Sequence, residues 1–303
     1  MREGERFSLR VPGSTSNLGS GFDTVSAALG LYLTLEVERS EGEEIEWVAD
    51  WEIKPEENVI LAALVKASQA LGIRPGGLKI RVDNEIPLKR GLGSSAAAII
   101  AGIKIAERLA GKTLEPDKVF ELAYPLEGHP DNLSASLLGG WVISRVEGGS
   151  MKAERLSTSL KCQFVLSVPE VFVSTQTARE ILPSSLGLSD AVFNLQRCAL
   201  LVHALTTGEG NLLREATNDR LHQHYRASLV PGASALLERE NLPENLDESV
   251  RSITVSGSGS TLLAIADGCC EEIGDWMVSV FRQNGISARF LVLELDQIGA
   301  RFI

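Results

Sequence analysis

Cysteine is scarce in this sequence. Only four cysteines stand among the 303 residues, at positions 162, 198, 269 and 270. Two of them, Cys269 and Cys270, are adjacent, which is a poor geometry for an ordinary disulfide, and the spacing of the four matches no common metal-ligand pattern. We therefore expect reduced thiols and a cytoplasmic protein.

Positive charge is also scarce, since 29 Lys and Arg residues face 40 Asp and Glu residues and the net charge is −11. This balance argues against a nucleic-acid partner and against an anionic membrane surface. Long apolar runs are missing as well: the longest, residues 96–103, stops at Lys104, well short of a membrane span. No secretory signal precedes the first predicted strand. An anionic ligand such as ATP would need compensation from backbone N–H groups, Mg²⁺, Lys89 or Arg90.

Strands and helices mix without strict alternation along the chain, which predicts an α+β fold with largely antiparallel sheets. A chain of 303 residues fits two domains. The weakest boundary is the polar stretch 147–160, so we divide the chain into residues 1–155 and 156–303. Predicted strands cover 7–11 (ending at Pro12), 32–37, 45–51, 78–82, 141–144, 162–168, 252–256, 261–266 and 288–295. Predicted helices cover 59–71 (after the N-cap Asn58), 94–109, 116–124, 130–138, 174–182, 190–205, 211–218 and 270–282. Residues 13–21 read as a small-residue loop.

The most informative segment runs from Leu88 to Ala98 and joins a strand to an apolar helix. A glycine-rich turn at a helix start leaves several backbone N–H groups unpaired, and the helix dipole favours an anion there. Gly91 and Gly93 allow positive φ and close approach of a ligand. Ser94 and Ser95 can cap the helix or offer a hydroxyl to a metal-bound phosphate. Read alone, the turn could be an ordinary glycine turn with a serine cap.

The only Gly-Lys-Thr sequence, at 111–113, is not a Walker A loop. Position 106 is alanine where that motif needs glycine, and the segment follows a helix instead of a strand.

A second chemically rich segment, Glu127-Gly128-His129-Pro130-Asp131-Asn132, packs two carboxylates, an imidazole and an amide before a helix. It could also be a turn in which Asp131 stabilises a helix start. Glu121, one to two turns upstream, could face a bound cation or simply be solvated.

Two arginines are candidates for holding a carboxylate. Thr175 and Arg179 lie four residues apart and therefore share one helix face, and Arg226 lies in the segment 225–232. Either arginine could equally be an ordinary surface residue. His222 and His224 are two apart without further ligands, so metal binding there is disfavoured. A second glycine turn, residues 256–261, could line the site or be a plain hairpin turn.

These segments, in this order, resemble the GHMP kinase superfamily. The matching motifs are residues 11–23, the loop 87–95 and the turn 256–261. Within the superfamily the closest likeness is to the homoserine kinases, through Ser16-Asn17-Leu18-Gly19 with Gly21-Phe22-Asp23, and through the segments 127–132, 174–179 and 225–232. Gly13 replaces a commoner alanine. Ser20 and Ser260 stand where the family usually has proline, so we expect both turns to be less rigid.

The resemblance implies two α+β domains, the first like ribosomal S5 domain 2 with a left-handed β-α-β unit and the second ferredoxin-like, with the active site in the cleft between them. It implies transfer of the γ-phosphoryl group of ATP to the side-chain hydroxyl of L-homoserine, with Mg²⁺, in threonine biosynthesis. Homodimers are common among such kinases. The residues implied for the nucleotide are Pro87, Leu88, Lys89, Arg90, Gly91, Leu92, Gly93, Ser94 and Ser95, with Asn58 near the adenine if it is not merely a helix cap. Ser95 and Glu121 are implied for Mg²⁺. Those implied for homoserine are Asn17, Asp23, His129, Asp131, Arg179 and Arg226.

Galactokinase and mevalonate kinase use an aspartate that corresponds to Asn132, and an amide cannot accept a proton. We therefore expect catalysis by positioning and charge stabilisation. In this scheme Asn132 and Thr175 act at the reacting hydroxyl, and Asp131 binds the substrate ammonium. The alternatives are another kinase of the superfamily, such as one acting on mevalonate, and a catalytically silent relative that senses a metabolite.

Overall fold

The computed structural model describes residues 4–50, 54 and 57–303, and they form an α+β fold. The first half contains β1 (Arg6–Asn17), β2 (Gly21–Arg39), β3 (Ile45–Val48), α1 (Val59–Leu71), β4 (Leu78–Asn84), α2 (Ser94–Ala110), α3 (Pro116–Glu127), α4 (Pro130–Leu138), β5 (Trp141–Glu147) and β6 (Ser150–Arg155). The second half contains β7 (Gln163–Pro169), α5 (Thr175–Glu180), α6 (Leu188–Thr207), α7 (Leu213–Ala216), α8 (Gln223–Ala227), α9 (Ala233–Leu237), β8 (Val250–Val255), β9 (Leu262–Ala266), α10 (Cys270–Gln283), β10 (Ala288–Leu293) and β11 (Arg301–Phe302). No helix within these ranges combines the length and apolar composition that a bilayer crossing demands.

The first sheet has the strand order β11-β1-β2-β4-β3, and β5 and β6 extend from β2 as a hairpin. Its pairs are antiparallel except β3–β4, which is parallel and is connected through α1. This is the β-α-β unit that the resemblance implies, and its left-handedness stays a prediction. Asn58 caps α1 as predicted, since its Oδ1 accepts the N–H of Leu61 at 3.0 Å.

The first strand does not end at Pro12, and the prediction of a loop over residues 13–21 is wrong. β1 continues to Asn17 and pairs with β2 along its whole length. The pairing register shifts between Pro12 and Gly13 and again between Ser16 and Asn17. A bulge lets a strand pass a residue that cannot donate to the ladder, which explains how the proline is tolerated. Only residues 18–20 remain as the connecting turn.

The second sheet is antiparallel with the order β10-β7-β9-β8. If the strands β7, β8, β9 and β10 are numbered first to fourth along the chain, their order across the sheet is fourth, first, third, second. Helices form the two crossover connections, and this is the ferredoxin-like arrangement. The hairpin that joins β8 to β9 carries residues 256–261, as the sequence predicts.

The two sheets share a hydrophobic core. Side chains of β7 alternate, so that Phe164 and Leu166 join the core of the first sheet while Val165 packs on the other side with α10. The ring of Phe164 lies 5.4 Å from that of Trp141 on β5. The halves 1–155 and 156–303 therefore pack through a continuous apolar contact.

Several boundaries differ from the prediction. The polar stretch 147–160 contains the strand β6, which completes a hairpin of the first sheet. The short strand β11 was not predicted and returns the end of the chain to β1. The predicted strand 45–51 ends at Val48, and its last residue, Trp51, lies outside the described residues.

Candidate active site

A cavity of about 260 Å³ lies where the two halves meet. Its lining comes from the end of β1 and the start of β2, the loop before α2, the start of α4, α5, α8 and the β8–β9 turn. The sequence motifs that were read separately thus share one cavity.

The loop before α2 lines this cavity from Lys89 to Ser95. Three successive carbonyl groups of the loop are bonded elsewhere: that of Arg90 accepts from Thr261, that of Gly91 from the Ser256 hydroxyl, and that of Leu92 from Ser14. Because these carbonyls accept hydrogen bonds from other segments of the chain, we expect the N–H groups of the loop and of the first helical turn to be available for a ligand. Gly91 and Gly93 have φ values of 71° and 70°. A Cβ at Gly91 would overlap the Ser256 carbonyl, so the loop requires glycine there.

The two serines do not cap α2, contrary to one of the two roles predicted for them. Gly93 is the N-cap residue in the left-handed conformation, and within the described residues no side-chain hydrogen bond caps the helix. The hydroxyl of Ser95 instead donates to Oε2 of Glu127 at 2.6 Å. Burial raises the pKa of Glu127, and the Ser95 hydrogen bond partly opposes that effect.

Glu121 was expected beside Ser95, and the structure corrects this. Its side chain is 65% exposed and pairs with Lys118 one turn away, at 2.7 Å. Glu121 does not line the cavity, whereas Glu127 does. The reason is helical phase, since α3 continues to Glu127 and turns Glu121 toward solvent. The sequence offered a signal for Glu127, because it opens the carboxylate-rich segment 127–132.

Three residues expected at the nucleotide lie away from this cavity. Asn58 is the cap of α1 and is absent from the lining. Pro87 and Leu88 line a neighbouring cavity of about 500 Å³ together with Arg90, Glu170 and Phe172. Arg90 borders both cavities, and its guanidinium stacks on the Phe172 ring at 3.8 Å.

Two carboxylates, Asp23 and Asp131, face the same cavity. Asp131 is 2% exposed in the first turn of α4, and one of its oxygens accepts the N–H of Asn132 at 2.7 Å. The pKa of Asp131 is raised to about 6, mainly by burial and secondly by the charge of Asp23. A buried carboxylate held in this way favours a cationic partner.

Two further arginines, Arg179 and Arg226, line the same cavity. Nη2 of Arg179 pairs with Oδ1 of Asp23 at 2.6 Å. Arg226 is buried, and its Nε and Nη1 donate to the carbonyls of Ala178 and Gly257 at 3.2 and 2.8 Å. The pKa of Arg226 is lowered to about 10, mainly by burial and secondly by the charge of Arg179. With this pKa the guanidinium is still a cation at neutral pH. Backbone bonds therefore fix the plane of the Arg226 guanidinium.

Asn132 lies between the loop and the charged residues. Its Oδ1 accepts from the hydroxyl of Ser14 at 2.9 Å, and Ser14 in turn bonds to the loop through Leu92. His129 and Thr175 also line the cavity. Burial, and next the charge of Arg179, lower the pKa of His129, which favours a neutral imidazole at neutral pH.

The structure adds contacts that the motifs did not reveal. The carbonyl of Gly257 accepts from both Asn17 and Arg226, so the second glycine turn links two implied substrate residues. The two serines that replace prolines are both anchored: Ser20 donates to the Ala216 carbonyl at 2.6 Å, and Ser260 to the Val171 carbonyl at 2.5 Å. The expectation of less rigid turns is therefore not supported, because each hydroxyl forms a tie that proline cannot make.

Comparison with known proteins identifies the class to which this chain belongs. The family model described as "GHMP kinases N terminal domain" matches residues 58–140, which include the loop before α2. A solved homoserine kinase from Cytophaga hutchinsonii superposes with a TM-score of 0.87 over 100% of this chain and 99% of that one, at 24% identity, which is a likeness of fold. In class, the fold and the loop are those of a GHMP kinase.

Two curated relatives narrow the class. The homoserine kinase of Desulfitobacterium hafniense is 35% identical over 97% of this chain and 99% of its own length. That of Trichormus variabilis is 38% identical over 96% of this chain and 97% of its own. The chain belongs to the homoserine kinase family.

Proposed function

We propose that this protein transfers the γ-phosphoryl group of ATP to the side-chain hydroxyl of L-homoserine, forming O-phospho-L-homoserine for threonine biosynthesis. The observation that carries the proposal is the composition of one cavity. A loop of backbone amides suited to a polyphosphate adjoins two carboxylates and two guanidinium groups.

The charged lining suits a zwitterion with a short side chain. Asp23 and Asp131 match an α-ammonium group, and Arg179 and Arg226 match an α-carboxylate. In the free protein Arg179 and Asp23 pair with each other, so the amino acid replaces one internal ion pair with two external contacts. Anchoring both charges directs the side-chain hydroxyl toward Asn132 and the phosphate loop.

Mg²⁺ fits the oxygen donors at the loop. Ser95 and Glu127 bring a hydroxyl and a carboxylate within 2.6 Å of each other, and Mg²⁺ prefers such ligands together with phosphate oxygens and water. Among the described residues no cluster of three or more acidic, His or Cys side chains could hold a metal alone. We therefore assign the metal contact to Ser95 and Glu127 in place of Glu121; the bound ion would neutralise charge on the transferring phosphoryl group.

The protein's own part in catalysis is positioning. The loop amides hold the phosphates, and the Asn132 amide orients the substrate hydroxyl. Ser14 fixes the Asn132 side chain by donating a hydrogen bond to its Oδ1. Asp131 is engaged with the backbone of Asn132 and with the substrate ammonium, so it is not the base. A loose phosphoryl-transfer transition state makes little demand on a strong base. Thr175, at the start of α5, lies within the same lining, and we assign its hydroxyl to the side of the reacting groups.

The proposal is tested by following ADP release with Mg-ATP and a panel of hydroxylated acceptors: L-homoserine, L-serine, L-threonine, mevalonate and galactose. We expect L-homoserine to give the highest kcat/KM and phosphorus NMR to show a phosphate monoester. Preference for mevalonate would identify a different GHMP kinase. Binding of homoserine without turnover would identify a silent relative.

We further propose that residues 1–155 supply the nucleotide site and residues 156–303 the carboxylate-binding arginines. The cytoplasm is the proposed place of action, in keeping with four free cysteines. A homodimer stays a prediction.

A further inference from the structure

His222 is a buried side chain that joins the two halves of the molecule without lining the cavity. It immediately precedes α8, the helix that carries Arg226, and its side chain is fully buried. Its Nε2 lies 2.8 Å from the carbonyl oxygen of Gly19, a residue 203 positions earlier. The bond reaches the turn between β1 and β2, which leads to Asp23.

The hydrogen bond defines the tautomer of His222. A carbonyl can only accept, so Nε2 carries the hydrogen, and Nδ1 is bare and has no hydrogen-bond partner in the described part of the chain. Asp219 lies 3.8 Å from Nε2, but its carboxylate accepts backbone N–H groups of His222 and Gln223. Asp219 thus holds the start of α8, and neutral His222 holds the turn against it.

The ring of His222 stacks on Phe22, with centroids 5.0 Å apart and planes inclined by 26°. The same Phe22 ring contacts both arginines of the cavity: the guanidinium carbons of Arg226 and Arg179 lie 5.1 and 5.5 Å from its centroid. Both distances are within the range of cation–π attraction. Phe22 is therefore a ring that His222 shares with both arginines of the cavity.

We propose that His222 and Phe22 are positioning residues for the amino-acid carboxylate: the His222–Gly19 bond and the stacking of the two rings hold Phe22 as a platform that sets the spacing of Arg179 and Arg226. This inference rests on the proposed function. It deepens that function, because it makes the affinity of the protein for homoserine depend on two residues that do not touch the amino acid. The nucleotide loop is not part of this platform, so the effect falls on one substrate alone.

The test compares matched variants in steady-state kinetics with both substrates. His222→Leu removes the donor to Gly19, whereas His222→Gln keeps a donor at the position of Nε2. His224→Gln, on the exposed side of the same helix, is the control. Phe22→Leu removes the ring and serves as an independent variant if His222→Leu does not fold, which a thermal melt decides.

For His222→Leu and for Phe22→Leu we expect the KM for homoserine to rise by about tenfold or more and the KM for ATP to stay within about twofold. His222→Gln should recover most of the loss, and His224→Gln should behave as the parent. Calorimetric titration with L-homoserine alone should show the same order of affinities. Equal changes in both KM values, or a normal homoserine KM in Phe22→Leu, would overturn the inference. Failure of the parent protein to phosphorylate homoserine would instead overturn the proposed function.

Discussion

The two sides of the active-site cavity are built in different ways. The proposed nucleotide side is one short segment, residues 90–95, for which we propose contacts through backbone amides. The proposed amino-acid side is assembled from side chains far apart in sequence, among them Asp23, Asp131 and Arg226. Backbone geometry follows from local sequence, whereas a pocket of side chains depends on the whole fold.

The two sides also differ in electrostatic cost. Amides of the loop carry no net charge and need no counter-ion. On the amino-acid side, burial displaces the pKa of Asp131 upward to about 6 and that of Arg226 downward to about 10. Both shifts oppose the charged forms that the proposed substrate contacts require. Keeping these groups charged for substrate binding therefore lowers the free energy of unfolding. Five substitutions test the contrast.

The largest effect is expected at the loop. In Gly91→Ala the added Cβ would overlap the Ser256 carbonyl at a φ of 71°, and the loop must move. We expect kcat/KM for ATP to fall by about 100-fold or more, roughly 3 kcal/mol. Steady-state kinetics at saturating homoserine measure it.

Gly111→Ala is the matched control, because Gly111 ends the same helix at a φ of 61° and has nothing near its Cβ position. It carries the same backbone strain without the overlap. If Gly111→Ala lost as much ATP efficiency, the effect would come from helix strain and not from the phosphate site.

The next effect is expected for Asp131→Asn, which keeps the shape of the side chain and removes its charge. The substrate ammonium loses a buried carboxylate, so the KM for homoserine should rise by about 30-fold, equivalent to roughly 2 kcal/mol. In the parent protein, homoserine KM should rise as the pH falls below about 6, because Asp131 becomes protonated. A fall in kcat with an unchanged KM would contradict the assignment to the ammonium.

The same variant should be more stable than the parent at neutral pH. The folded pKa of about 6 lies above the ordinary 3.8, so the folded chain binds this proton more tightly than the unfolded chain does. Ionisation at pH 7 therefore opposes folding, by an amount on the order of 3 kcal/mol at most. We expect Asp131→Asn to raise the free energy of unfolding at pH 7.5 by about 1–3 kcal/mol. The gain should shrink as the pH falls from 6 toward 4, which urea titrations at several pH values measure.

The difference between a site built from local backbone and one built from distant side chains also decides how much of this site the sequence predicts. The loop, the α2 helix and the cap of α1 by Asn58 were predictable, because glycine spacing, apolar periodicity and capping are local. The sequence does not separate Glu121 from Glu127, because spacing along a helix does not show which turn faces the loop. The continuation of β1 past Pro12 was not predictable, because the bulge that accommodates the proline is set by pairing with β2. The roles of Phe22 and His222 were hidden because they depend on a contact across 200 residues.

A smaller effect is expected for Arg179→Lys. Lysine keeps the positive charge but cannot form two parallel hydrogen bonds to a carboxylate, so the KM for homoserine should rise about tenfold, or roughly 1.5 kcal/mol. The KM for ATP should scarcely move. Arg220→Lys, in an exposed pair with Asp190 at 3.1 Å, is the control and should match the parent. An ATP effect as large as the homoserine effect would place Arg179 at the nucleotide side.

The smallest effect concerns the turns that border both sides. Ser20→Ala and Ser260→Ala each delete one hydroxyl that ties a glycine turn to a distant carbonyl. Because the Ala216 carbonyl then stays buried, and the Val171 carbonyl half-buried, without that donor, the free energy of unfolding should fall by about 1 kcal/mol, a drop of roughly 2–4 °C in Tm. Ser228→Ala removes only a local bond to the Tyr225 carbonyl on an exposed turn and should change Tm by less than about 1 °C. Of the two turns, Ser20→Ala should disturb homoserine affinity more, since its turn leads directly to Phe22 and Asp23. If Ser260→Ala raised the homoserine KM more than Ser20→Ala did, the β8–β9 turn would be the more important support of the amino-acid side.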